Sequence, residues 1–485
     1  MARLPLPLGF SFYQSESAPF SSQRCVNWIP VVAESAALNT RALFQPPGLK
    51  QLVDSSISGN RGALSMKEVP YFVNGNSLIS VSSAGVVTNH GTIAGSGYVS
   101  MATNGQYMVI VAPGGNAYAY DNVALTLTQI TDPDFRTSDT VVFKDGYFVF
   151  SSSDGAVFFN SSLNDPFNYD ALDFGTAEIS SDKIVSLHVN HNELFVIGLE
   201  TTELFQNIGG AGFPFQRIPG ANIQKGSHAR FSPLEFDNTF CFVGGGLNEQ
   251  TAIWKVTGSA SAQKISSDAI DKEIQRFTKA EIEASFSITF ARHGQFLALF
   301  TFESTRIPSR TFVYNATASA YMQGNIWFEL QTGVYDNRWR VQSIVQAYGK
   351  LLVGDQSTGI IGEIDTDTLD YYGDEIFRSS TTAPFSENGM ALFAGEFEAT
   401  LQSGVGLTVG QGSDPQIRMS FSDDGGRTFS DEFRRSIGKI GEYGHRSIWR
   451  QQGRFPVSRM IKLVVTDKVR ANVIRLAATP QLGSQ

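Results

Sequence analysis

Two cysteines in 485 residues, Cys25 and Cys241, are too few for a disulfide framework and too far apart to suggest a metal site. Both are expected as small, buried apolar side chains. No stretch approaches the ~18 apolar residues that a spanning helix needs. Residues 1–9 lack the continuous apolar core of a secretory signal. The expectation is a soluble chain without a membrane span, made in the cytoplasm. Positive charge is also scarce: 37 Lys and Arg stand against 46 Asp and Glu, a net charge of −9 with a pI near 5.3. A protein built to grip phosphates would carry a basic face, so the acidic balance argues against that task, although it does not exclude nucleic acid sliding past. No phosphate-cradling G-x-x-x-x-G-K-[ST] loop and no G-x-S-x-G elbow occurs. His188 and His191 are three apart, but no third ligand follows at zinc spacing. The sequence therefore names no catalytic, metal-binding or cofactor-binding residue.

What the chain has is aromatics and turns: 37 Phe, 15 Tyr and 46 Gly, with 42% hydrophobic residues. Aromatics favour pleated surfaces and Gly favours turns, so this is β composition, in a chain long enough for two or three cores. One unit recurs. In 290–302 the turn Arg292-His293-Gly294 leads into the strand-forming run 296–302. The same design stands at Asn104-Gly105, Asp145-Gly146, His191-Asn192, Asp237-Asn238 and Tyr348-Gly349, with a weaker copy at Asn74-Gly75. Such pairs tolerate positive φ and are the strongest short-range hairpin signal. The gaps between turn centres bracket the ~40–50 residues of a four-stranded propeller blade. Second apolar stretches at 156–159, 202–205, 252–256, 311–314 and 360–364 would be middle strands. Closing such a series into a disc removes long exposed edges, so a β-propeller is preferred to a solenoid. Seven copies suggest seven blades; six stays open because the first copy is weak.

The expected architecture is all-β: a six- or seven-bladed propeller (63–380), an extended N-terminal arm (1–62), a short helical insertion (267–285) and a C-terminal β-sandwich-like domain (381–485). Six prolines between Pro5 and Pro47 make long helices and central strands unlikely in the arm. Its Phe10, Phe12, Trp28 and Leu43 still need burial, against the chain's own body or a neighbouring subunit. In the insertion Ser267 is a helix cap, and Thr278-Lys-Ala-Glu281 is a capping box. Its amphipathic face would rest on a blade or on another subunit. Past residue 390, alternating apolar stretches enclose a basic run: Arg434, Arg435, Lys439, Arg446, Arg450 and Arg454. Ser422-Asp-Asp-Gly-Gly-Arg-Thr-Phe429 fits the Asp-box turn, in which Ser422 and Asp424 would bond the hairpin backbone over a packed Phe429.

Arg24-Cys25-Val26-Asn27-Trp28-Ile-Pro30, followed by Pro46-Pro47-Gly48-Leu49-Lys50, resembles the opening signature of tail hub proteins of short-tailed bacteriophages, also called nozzle or packaged-DNA stabilisation proteins. Further similarity lies in the block from Ile223-Gln-Lys-Gly226 to Phe242, in the helical stretch 267–281, and in Asn325-Ile-Trp-Phe-Glu-Leu-Gln-Thr-Gly333-Val-Tyr-Asp336. The resemblance implies a structural virion protein without catalytic residues: a propeller subunit of a hexameric ring below the portal and adaptor rings. That ring would continue the DNA channel, with duplex DNA passing without tight binding, carry tailspikes or fibres, and receive the needle or plug. Arg24, Cys25, Val26, Asn27, Trp28, Pro30, Pro47, Gly48 and Leu49 would be its assembly signature. The competing reading from the residues is a propeller glycan hydrolase acting on host surface polysaccharide, motivated by the single Asp-box.

Overall fold

The computed structural model describes residues 3–482 apart from 178, 179, 181, 211, 259 and 387–389. Antiparallel sheets stand radially around one axis. Six blades are each cut from one continuous stretch: 60–92, 100–129, 138–175, 184–223, 226–264 and 286–329. A further sheet closes the ring. Its strands Val341–Ala347, Lys350–Asp355 and Ile360–Asp365 come from the end of the repeat region, and Gly48–Asp54 from the N-terminal segment pairs outside them. We number these seven sheets as blades 1 to 7 in the order given. Borrowing the outer strand from the other end of the chain ties first and last blades covalently, which removes the edge an open series would expose.

The turns form as their residues dictate. Asp145 and Gly146 take φ of 50° and 90°, and His293 and Gly294 take 44° and 77°. Such values suit the tight turns whose twist matches paired strands. In blades 2 to 7 the recurrent turn joins the two strands nearest the axis. In blade 1 Asn74-Gly75 lies one hairpin later. The equivalent inner turn there is Lys67-Glu68, at φ 51° and 63°. Neither residue is a usual left-handed one, which is why this turn is not visible in the sequence.

The cores lie between blades. Met66, Tyr71 and Leu78 of blade 1 pack with Met108, Ile110 and Tyr120 of blade 2, and Phe72 and Ile79 on the other face pack with Val345 and Leu352 of blade 7. Each strand thus feeds alternate side chains to two neighbouring blades, so these strands read as nearly continuous apolar runs.

The helical insertion rests on its own molecule. Asp268–Ile274 is capped by Ser267, and Lys279–Glu283 carries the complete Thr278–Glu281 capping box. Ile270, Ile274, Phe277 and Ile282 are buried with Phe300, Phe302 and Trp327 between blades 5 and 6. A third helix, Ala316–Met322, was not evident from its sequence; Asn315 caps it by accepting from the Ala318 N–H at 3.0 Å.

Two sheets form the C-terminal β-sandwich. One contains Ile29–Val32, Arg41–Phe44, Leu392–Leu401, Ser447–Arg450 and Val473–Leu482. The other contains Ser22–Val26, Arg378–Thr381, Gln416–Ser422, Phe433–Ser436 and Met460–Val465. This second sheet continues without a break into blade 6, because Val26 pairs with Glu329 on one side and with Ser379 on the other.

Candidate assembly seam and axial chamber

The signature residues line the junction between propeller and sandwich, inside the molecule. Cys25, Asn27, Trp28 and Leu49 are fully buried, Val26 nearly so, and Pro30, Pro47 and Gly48 are buried with them. The arm therefore packs on its own body. Asn27 takes φ 50° and stitches three segments together. Its Nδ2 donates to the carbonyls of Gln331 (3.0 Å) and Phe377 (2.8 Å), and its Oδ1 accepts from the Gln331 N–H at 2.9 Å. The Trp28 indole donates to the Ala471 carbonyl at 3.0 Å, reaching across into the sandwich. Asn315, on blade 6, donates to the Pro30 carbonyl at 2.9 Å. Gly48 is needed for close approach: a Cβ there would sit 2.3 Å from the Thr368 carbonyl oxygen.

Beside the seam lies a four-membered ion cluster. Arg24 contacts Glu329 at 2.5 Å and Asp336 at 2.9 Å, while Arg310 contacts the same two carboxylates at 2.9 and 3.3 Å. Burial works to lower the Arg24 pKa, but Glu329 and then Asp336 outweigh it and hold the guanidinium above its ordinary value. Burial likewise works to raise the Asp336 carboxyl, yet Arg24 and Arg310 hold it below the usual range. Arg378, fully buried, donates to the Val469 carbonyl at 2.7 Å and also to Gln45 and the Asp467 carbonyl. Glu329 and Asp336 lie within the quoted stretch 325–336. Arg310 and Arg378 stand singly in strands and carry no sequence signal.

Cys25 and Cys241 are both buried, and burial pushes the Cys241 thiol up to about 12. His188 packs on Phe240 with ring centroids 4.5 Å apart, and burial pushes its pKa down to about 4. Among the described residues no three His, Cys, Asp or Glu side chains converge as metal ligands.

A cavity of about 1420 Å³ occupies the propeller axis and is lined by every blade. It is crossed by side chains. Tyr98 stands against Phe231 and Phe286, with ring centroids 5.0 and 5.1 Å apart. Arg230 of blade 5 pairs with Asp139 of blade 3 at 2.6 Å. Arg61 spans loop carbonyls of Gly97, Gly75 and Ile93 at 2.8, 3.0 and 3.2 Å, with its pKa lowered by burial. One disc is therefore a closed body, not a tube.

The Asp-box is structural in its geometry. Asp424 accepts from the N–H groups of Arg427 (2.9 Å) and Thr428 (3.0 Å) and from the Thr428 hydroxyl (2.6 Å), and Ser422 donates to it at 2.7 Å. The Thr428 side chain first, then its N–H, hold the Asp424 carboxyl well below the usual range. Phe429 is partly covered, 37% exposed, with the Lys462 ammonium over its ring at 5.5 Å. The N-terminal segment also lies against the turn, with Pro19 against Gly425 and the Ser22 hydroxyl donating to the Gly425 carbonyl at 3.1 Å.

A propeller closed on itself and continuous through one sheet with a sandwich, with buried polar groups joining distant segments, defines the architectural class. The chain matches the family described as "Bacteriophage P22 Gp10, beta-propeller" over residues 2–369 and its companion "Bacteriophage P22 Gp10, beta-sandwich" over 378–481, and it belongs to that family. It is 24% identical over 325 residues to the tail hub protein gp10 of Salmonella phage P22, a match covering 64% of this chain and 66% of that protein's length. Among solved structures, one match is the computationally designed Ika8 protein (12% identity, 65% of this chain and 99% of that one, TM-score 0.35). Another is U3-55K (10% identity, 66% and 99%, TM-score 0.38). By its family the chain is a phage protein similar to a tail hub protein, and the match spans just under two thirds of that relative's length. No described helix is long and apolar enough to cross a membrane.

Proposed function

We propose that six copies form a ring in the short tail, below the head-to-tail adaptor. The ring continues the DNA channel, helps retain the packaged genome, and anchors tailspikes or fibres and the terminal needle or plug. The carrying observation is the family match along both propeller and sandwich. The blocked axis supports it: with Tyr98, Phe231, Phe286 and the Arg230–Asp139 pair across the bore, a duplex would run between copies, not through a disc. Net charge of −9 fits passage without grip, since each neutralised phosphate would release counterions and slow ejection. We take the arm (1–62), propeller (63–380) and sandwich (381–485) as working divisions, with the signature residues 24–30 and 47–49 fixing the angle between the two bodies so that the ring closes. Assembly would take place in the host cytoplasm.

Electron microscopy of the purified chain, alone and with an adaptor ring, tests this. Sixfold rings on the tail axis are expected. A chain that stays monomeric in sedimentation with the adaptor ring present would remove the proposal.

A further inference from the structure

Charge is unevenly divided along this chain. Residues 378–485 hold fourteen Lys and Arg against ten Asp and Glu, a net +4, whereas residues 1–377 hold 23 against 36, a net −13. On the sandwich, Arg435 donates to the Ile448 carbonyl at 2.8 Å and so joins strand Phe433–Ser436 to Ser447–Arg450, and Arg454 stands opposite Phe393. Glu396 and Glu398 on this face are covered by Arg3, Arg446 and Arg450. No described carboxylate pairs with Arg434, Arg435, Lys439 or Arg454, all of which are exposed. Exposed apolar groups lie among them: Phe393, Phe433, Ile440 and Tyr443.

The acidic counterpart is the outer edge of blades 2 and 3. Asp121, Asp132, Asp165 and Asp170 accept only from backbone and side-chain N–H groups of their own loops, and no described Lys or Arg pairs with them or with Asp173. Arg136 is the one exposed cation on this edge among the described contacts, donating to the Ala171 carbonyl (3.2 Å) and standing over Phe174. Partial burial and then Asp170 raise the Asp173 carboxyl. Here too apolar side chains stand free: Val123, Leu125, Leu163 and Leu172 are 60–79% exposed.

The topology puts the two faces far apart. The sandwich grows from blade 6, and in a closed ring of seven sheets blades 2 and 3 are the pair opposite blade 6. A molecule with complementary patches on opposite sides associates head to tail, the heterologous arrangement that gives a ring when the rotation between copies closes and a filament when it does not. We infer that the basic, apolar edge of the sandwich of one copy, where Phe433–Ser436 meets Ser447–Arg450, docks on the acidic, apolar outer edge of blades 2 and 3 of the next copy. This rests on the ring reading above and says which surfaces make the ring. Charge complementarity of this kind sets partner orientation and speeds encounter, and it is screened as salt rises.

The test is a charge exchange in the full chain. One variant carries Arg434→Glu, Arg435→Glu and Arg454→Glu; the other carries Asp165→Lys, Asp170→Lys and Asp173→Lys. Sedimentation velocity should show self-association of the parent weakening with salt, and each variant alone at least tenfold weaker. An equimolar mixture should assemble again, because each reversed face then meets a reversed partner. Recovery in the mixture also shows that both variants are folded. Variants that assemble like the parent, or a mixture that stays dispersed, overturn the docking assignment while leaving a ring by other surfaces possible. A parent that self-associates neither alone nor with an adaptor ring present overturns this and the ring reading together. Binding of labelled duplex DNA by the parent, lost in the Arg variant while assembly persists, assigns the basic face to phosphate and overturns the proposal.

Discussion

At the scale of single residues, the seam depends on side chains that satisfy several buried groups at once. Asn27→Ala would leave the Gln331 N–H and both carbonyls unpaired and place a β-carbon at φ 50° without the local polar compensation of Asn. At ~1–3 kcal/mol for each orphaned group, the loss should be at least about 3 kcal/mol, read from urea denaturation. His188 gives a pH signature. Its folded pKa is lowered to about 4 from an ordinary value of 6.5, so the unfolded chain binds more protons between those values. Stability is then full above pH about 6.5 and falls as pH drops toward 4, by on the order of 2–3 kcal/mol. His188→Phe should remove that slope from thermal melts taken between pH 4 and 7. Asp336 acts lower on the scale. Held below its usual range by Arg24 and Arg310, it supports the fold above its unfolded pKa and ceases to do so as pH falls through its folded one.

At the scale of elements, the strand Gly48–Asp54 is the clasp of the disc. It pairs with Ile360–Asp365 along its length, so disturbing it should loosen blade 7 before any other blade. Gly48→Val would force two backbones apart at Thr368. Hydrogen exchange should show amides of 350–365 losing protection, while those of blades 3 and 4 keep theirs. Unchanged protection in blade 7 would mean that the clasp is not needed. The Lys67-Glu68 turn belongs to this scale as well. Gly at position 68 should be tolerated or mildly stabilising, by up to about 1 kcal/mol, because it removes the cost of a left-handed Glu.

At the scale of the whole molecule, propeller and sandwich are one mechanical body. A single sheet runs from blade 6 through Ser22–Val26 into the sandwich, and Trp28 bridges to Ala471. Calorimetry of the parent should therefore show one transition. Trp28→Ala, which removes ~3–5 kcal/mol of packing at the junction, should split it into two. A parent that already melts in two steps would show that the seam does not couple the bodies.

The turn residues and apolar runs determined the repeated hairpin, the capped helices 268–274 and 279–283, and the alternating strands after 390, because each depends on contacts within a few residues. The motif at 24–30 marked a special segment but not its use. That Cys25, Asn27 and Trp28 lie at a buried seam was decided by tertiary structure, since their partners at Gln331, Phe377 and Ala471 are hundreds of residues away. The same holds for Lys67-Glu68, whose strained turn is forced by blade geometry against local preference. It holds for the Asp-box turn, whose Gly425 lies against the distant Pro19 and Ser22. Net charge was legible from composition alone; only the ring order, with blades 2 and 3 facing away from blade 6, turned it into two opposed faces.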